Sequence, residues 1–142
     1  MFDIHLSLLP PRSTSQQKGT AAIFSRAGRY RGLRHYKKAQ VRRNEHDLAV
    51  LLLPYRPASP LLGPVCLDVT ATWPWRRNEP EKRLALGYAP MDTRPDASRW
   101  VETLQDQLTK LGFWHDDAQV ADLRVRKLWG REVGIRIVIY RL

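Results

Sequence analysis

The sequence predicts an α+β domain: a mixed β-sheet flanked by helices and closed by a C-terminal β-hairpin. Three observations carry this. Apolar residues alternate at both ends of the chain and in its middle, the period of half-buried strands. Between those stretches lie runs with apolar residues three or four apart, the period of amphipathic helices. The resulting order of strand, helix, strand, helix and hairpin lets helices cover a sheet. With 142 residues, 43% of them hydrophobic, there is material for one real core, so residues 1–142 are expected to form a single domain.

Phe2, Ile4, Leu6 and Leu8 alternate with polar residues until Pro10 and Pro11 stop the first strand. Residues 12 to 32, rich in Ser, Gln, Gly and Arg, hold no sustained period and read as a long loop. From Leu33 to Leu53 there is no Pro or Gly, and Val41, Leu48 and Leu52 fall at helical spacing before Pro54. "GPVCLDVTATW" sets Val65, Leu67, Val69, Ala71 and Trp73 on one face of a second strand. A basic connection over residues 74–95 reads as irregular. Trp100, Leu104, Leu108 and Leu111 then define a helix over 97–111, with Asp96 at its N-cap and Gly112 as its stop. Val120, Leu123, Val125 and Leu128 precede "WGRE", and Val133, Ile135, Ile137 and Ile139 alternate after it, forming the terminal hairpin.

Lys and Arg outnumber Asp and Glu by 24 to 14, a formal charge of +10 that attracts polyanions, nucleic acid first among them. Clustering sharpens this. Arg34, Lys38 and Arg42 recur every fourth residue and would form a basic stripe on the first helix, with Arg26, Arg29 and Arg31 just before it. The same stripe would also serve as a solvated helix face. Cys66 is the sole cysteine, which excludes an intrachain disulfide and a cysteine-based zinc site, fits a reducing cytoplasm, and reads as a small core residue. His5, His35, His46 and His115 show no HxxxH or HExxH spacing, so a zinc enzyme is not expected. No segment is long and apolar enough for a membrane span, and the start carries no basic leader, so a soluble, unprocessed chain is expected.

Against this basic background, Asp116, Asp117 and Asp122 crowd into "GFWHDDAQVADLRVRK", and Asp96 starts the helix that leads there. Carboxylates converging among cations would make an oxygen-rich site suited to Mg²⁺ or Mn²⁺. The same residues also serve as caps and turn formers. A helix of that length spans about 22 Å, so its two ends do not meet unless the following strand brings them together.

"LTKLGFWHDDAQVADLRVRK" resembles the C-terminal signature of RusA-type Holliday junction resolvases, in which a helix leads into "DDAQV" and then a strand carrying a lysine. Leu108, Thr109, Lys110, Gly112, Phe113, Trp114, Asp116, Asp117, Ala118, Gln119, Val120 and Lys127 fall in register without a gap. The remaining layout is similar, with weaker sequence likeness. The family motif "PD-x-DN-x-x-K" corresponds here to "PDASRWVE": Asp96 keeps the first aspartate, while Ser98 replaces the second, Arg99 the asparagine and Glu102 the lysine.

The resemblance implies a Mg²⁺- or Mn²⁺-dependent endodeoxyribonuclease that cuts branched DNA, above all four-way junctions, as a homodimer. It assigns metal binding to Asp96 and Asp117 and a catalytic role to Lys127; Asp116, or Glu102 four residues from Ser98 on the same helix face, would supply a further ligand. DNA contacts are expected from Arg26, Arg29, Arg31, Arg34, Lys38, Arg42, Arg76, Arg77 and Lys110. Because the altered motif removes one carboxylate and one cation, a junction-binding protein that does not cut is the alternative. A basic RNA-binding module is a third.

Overall fold

The computed structural model describes residues 1–14 and 18–142. Strand β1 (Phe2–Leu6) is followed by β2 (Lys18–Phe24), β3 (Tyr30–Lys37), helix α1 (Ala39–Leu52) and β4 (Val65–Pro74). A one-turn α2 (Glu81–Leu84), the short β5 (Tyr88–Pro90), α3 (Ala97–Lys110), β6 (Val120–Gly130) and β7 (Gly134–Arg141) complete the chain. The fold is α+β, with a five-stranded mixed sheet in the order β1-β7-β4-β6-β5 and a separate ribbon of β2 and β3. In the main sheet only β4 and β6 run parallel.

Strand β4 takes the centre, paired on both edges, and every second side chain along it is apolar and fully buried. Val65, Leu67, Val69, Ala71 and Trp73 join a core built with Leu48 and Leu52 of α1 and Trp100, Leu104 and Leu108 of α3. Cys66, pointing the other way, is also fully buried, as expected of a core residue. The two C-terminal strands are both present, with β4 inserted between them. They are thus consecutive strands joined by residues 131–133, and each hydrogen-bonds to β4.

The sheet face away from the helices is polar. Its registers align Asp3, Val138, Asp68 and Arg124 in one row and His5, Arg136, Thr70 and Arg126 in the next. Arg136 bonds Asp3 at 2.8 Å and Arg124 bonds Asp122 at 2.7 Å, while Arg126 pairs with Asp68. A recess of about 670 Å³ opens on this face, lined in part by His5, Thr70, Thr72, Tyr88, Arg126 and Arg131.

Three sequence expectations are overturned. The stretch 12–32 is not one long loop: β2 occupies Lys18–Phe24, and β3 begins at Tyr30. Residues 15–17 of that stretch lie outside the described residues. Helix α1 starts at Ala39 rather than Leu33, because residues 30–37 pair with β2 instead. The cause is shared. Alternation in a sequence reflects burial of one strand face, and this ribbon buries almost nothing on either side. The basic connection over 74–95 likewise contains α2 and β5, both too short to show a period. Among the described residues no helix is long and apolar enough to cross a membrane.

Candidate nucleic-acid interface and acidic site

The start of α3 is fixed from two sides. Trp100 is buried edge-on against Trp73 at 5.8 Å, and its indole N–H donates to the Pro11 carbonyl at 3.0 Å. From β6, the Lys127 ammonium donates to the carbonyls of Thr93 and Pro95, both at 2.7 Å. Lys127 therefore clamps the backbone that enters the helix. Asp96 occupies the N-cap position as expected, yet its carboxylate accepts no hydrogen bond from the helix N–H groups. It is 60% exposed, with the Arg99 Nε 3.7 Å away. Glu102, also exposed, lies on the same helix.

The far end of α3 shows what most of the "LTKLGFWHDDAQV" signature does. Gly112 adopts φ +76°, a left-handed conformation that ends the helix and favours glycine. Phe113 and Trp114 return into the core, and the Trp114 indole N–H donates to the Thr109 hydroxyl at 2.7 Å. Asp116 accepts from the Ala118 N–H at 2.8 Å, capping a single 3-10 turn over Asp117–Gln119. Gln119 accepts from the His115 N–H at 2.9 Å and donates to the Leu61 and Gly63 carbonyls at 2.9 and 3.0 Å. Asp117 is different. Its carboxylate is exposed and makes no side-chain hydrogen bond or ion pair among the described residues.

Asp96 and Asp117 thus stand at opposite ends of α3, a helix of 14 residues, or about 21 Å of rise. Strand β6 runs back only as far as Lys127 before reaching the Asp96 end, by which point Asp117 is several strand residues behind. One chain therefore brings Lys127 to Asp96, and leaves Asp116 and Asp117 apart from both. Among the described residues no three His, Cys, Asp or Glu side chains converge on a position that would hold a metal ion. Taken singly, the chain does not fit a divalent metal at these residues. Asp122 is half-buried and bonded to Arg124, whose hydrogen bond holds its carboxyl below the ordinary value.

The cations sort into two groups. Arg26, Arg29, Arg31 and Arg34 all lie on the ribbon or its turn, and Lys38 and Arg42 stand exposed where α1 begins. The expected stripe on one helix is therefore a track from ribbon to helix, since Arg34 belongs to β3. Lys110 is exposed in the last turn of α3, where the helix dipole favours a cation. Arg77 is exposed, whereas Arg76 is engaged: it bonds Glu79 at 2.9 Å and sits 5.7 Å over the Trp129 ring. The recess on the open sheet face involves neither acidic group, because Lys127 and Arg126, adjacent in β6, point to opposite faces.

The chain matches the family model for endodeoxyribonuclease RusA over residues 9–140, nearly its whole length. It belongs to the RusA endodeoxyribonuclease family. It is also 28% identical over 97 residues to an uncharacterized protein of Bacillus subtilis, YqaN, covering 65% of this chain and 68% of that one. The RusA signature divides accordingly in this member: Thr109, Gly112, Phe113, Trp114, Asp116 and Gln119 build the turn, and Asp117 is the acidic side chain left over. No signal along the chain separates these roles, because Asp116 and Asp117 are identical neighbours and only the cap geometry distinguishes them.

Proposed function

We propose that this RusA-family chain is a structure-selective endodeoxyribonuclease for branched DNA, four-way junctions above all. The observation that carries the proposal is the exposed, uncommitted Asp117 within a signature otherwise consumed by structure. Its counterpart is Asp96, presented at a helix start that Lys127 and Trp100 hold in place. Since α3 separates the two in one chain, an acidic site that uses both is built between two chains. Asp96 of one subunit then meets Asp117 of the partner subunit across a two-fold axis. In this reading the protein is a homodimer that uses Mg²⁺ or Mn²⁺, and two such sites suit the two strands of a symmetric junction. Asp116 is spent on its cap and is not a metal ligand in this reading. Lys127 acts as a positioning residue.

A second reading has its own observation. Arg99 lies 3.7 Å from Asp96, and Ser98 and Glu102 replace an aspartate and a lysine of the family motif. The first change partly neutralises the remaining carboxylate, and the others remove a ligand and a cation. A junction-binding subunit that does not cut follows from those three substitutions.

The test is cleavage of an end-labelled four-way junction with Mg²⁺ or Mn²⁺. The nuclease reading expects wild-type cleavage, its loss in Asp96→Asn and in Asp117→Asn with junction binding retained, and its partial return when the two variants are mixed. Only a site shared between subunits is complemented this way, because one of the two sites in the mixed dimer keeps both aspartates. A wild type that never cuts, beside a Ser98→Asp/Glu102→Lys variant that does, establishes the non-cutting binder. If both proteins bind junctions and neither cuts, the acidic site is refuted.

A further inference from the structure

The ribbon of β2 and β3 is unlike the rest of the molecule in three ways. It forms a two-stranded sheet of its own, separate from the main sheet. An isolated two-stranded hairpin is marginal in water without a partner surface. It also exposes large apolar side chains that a monomer would normally bury: Phe24 is 60% exposed, Tyr30 61% and Leu33 59%. Finally, seven of the chain's ten excess positive charges fall within residues 18–38, which contain no Asp or Glu.

The apolar residues sit where the charge is densest. Phe24 and Tyr30 face each other as the last pair of the ribbon, edge to face with centroids 6.1 Å apart. Between them runs a tight turn in which the Ser25 N–H donates to the Arg29 carbonyl at 2.8 Å and the Arg29 N–H to the Ser25 hydroxyl at 3.2 Å. Gly28, at φ +73°, supplies the left-handed step. The turn is thus closed by its own hydrogen bonds, and it presents two rings flanked by Arg26, Arg29 and Arg31. At the other end Tyr36 lies over Gly19, where any Cβ would strike its ring, so that aromatic is spent on the ribbon itself.

Charge decides what covers this tip. The same ribbon of a second copy would bring equally dense positive charge against it, with no Asp or Glu in residues 18–38 to offset it, and is repelled. A polyanion with accessible flat apolar faces satisfies the cations and the rings together, and an unstacked nucleic-acid base beside its phosphates is such a group. A two-stranded ribbon also fits the major groove.

We propose that the β2–β3 ribbon is a probe for unstacked bases in branched DNA: Arg26, Arg29 and Arg31 hold phosphates, and the Phe24 and Tyr30 rings stack on bases opened at the branch point. This rests on the junction-binding part of the reading above, and assigns to the ribbon the preference for branched over linear DNA. The full-length chain is titrated with a four-way junction carrying 2-aminopurine at the branch point and with a linear duplex carrying it internally. Wild type is expected to raise the fluorescence of the junction and not of the duplex. Phe24→Leu/Tyr30→Leu keeps apolar bulk on the ribbon and removes the flat faces; it is expected to abolish that rise and to reduce the preference for junction about tenfold, with duplex affinity unchanged. Arg26→Gln/Arg29→Gln/Arg31→Gln is expected to weaken both DNAs alike and to flatten the salt dependence by about three in slope.

A wild type that binds the junction without a fluorescence rise overturns the probe and leaves junction binding standing. So does a double-leucine variant that matches wild type, or one that turns a dimer into a monomer by light scattering. A wild type that binds neither DNA overturns both the probe and the function it rests on.

Discussion

The five-stranded sheet and the β2–β3 ribbon are both antiparallel for the most part, yet they are held together by different means. In the sheet, Ile4, Leu6, Ile135, Ile137 and Ile139 are nearly inaccessible, and every second residue of β4 is fully buried. In the ribbon only Gly19 is buried. Burial of apolar area, at about 25 cal/mol per Å², therefore stabilises the first and contributes little to the second. The ribbon is a surface feature that retains rings and charges its own folding does not use, as the proposed base-probing role requires.

The sharpest break between the two regions is expected from truncation. Ile137→Ala, in the middle of the sheet, should cost about 2–5 kcal/mol in urea denaturation, whereas Leu33→Ala in the ribbon should stay within about 0.5 kcal/mol. Equal losses would mean that the ribbon packs as a core element. A smaller contrast is expected inside the "DDAQV" turn. Gln119→Ala frees the Leu61 and Gly63 carbonyls and the His115 N–H and should cost about 2 kcal/mol. Asp117→Asn should leave the melting temperature unchanged, since that carboxylate bonds nothing among the described residues. Loss of stability in the second variant would move Asp117 into the scaffold.

The smallest effect is electrostatic and belongs to the sheet side alone. The hydrogen bond from Arg136 holds the Asp3 carboxyl below its ordinary value of 3.8, Arg76 lowers Glu79, and Arg124 lowers Asp122. Each carboxylate is depressed in the folded state, so its contribution is present above the ordinary carboxylate range and disappears as pH falls through the lowered values. Denaturation midpoints should be flat from neutrality to about pH 5 and drop below that, with Asp3→Asn making the drop slightly shallower. The Asp3 and Asp122 pairs are open to solvent, so salt should reduce their part of the effect, whereas the Glu79 carboxylate, covered by Arg76 and Arg83, should be screened less.

These contrasts also mark what was legible beforehand. The helix over 97–111 was visible because Trp100, Leu104 and Leu108 bury one stripe, and β4 because Val65, Leu67, Val69, Ala71 and Trp73 alternate onto one buried face. The ribbon was invisible for the converse reason: with no buried face there is no period, and residues 33–37, uninterrupted by Pro or Gly, read as part of the helix that follows. At the acidic site, Asp96, Asp117 and Lys127 were singled out from motif likeness, but their distribution was not. Lys127, to which the resemblance assigns a catalytic role, donates to the Thr93 and Pro95 carbonyls, contacts that no motif shows.

The sequence alone determined the fold class, the apolar strands and helices, the strongly basic charge, the single buried cysteine and the likeness to the RusA family. These are properties of local pattern and composition, which survive without knowing which segments touch. Tertiary structure decided that β4 lies between β6 and β7, that residues 18–37 form a free-standing ribbon, that Asp116 caps while Asp117 does not, and that Asp96 and Asp117 stand a helix length apart. Those outcomes depend on pairing between distant segments and on the rigid 1.5 Å rise per residue of α3, and no spacing along the chain encodes them.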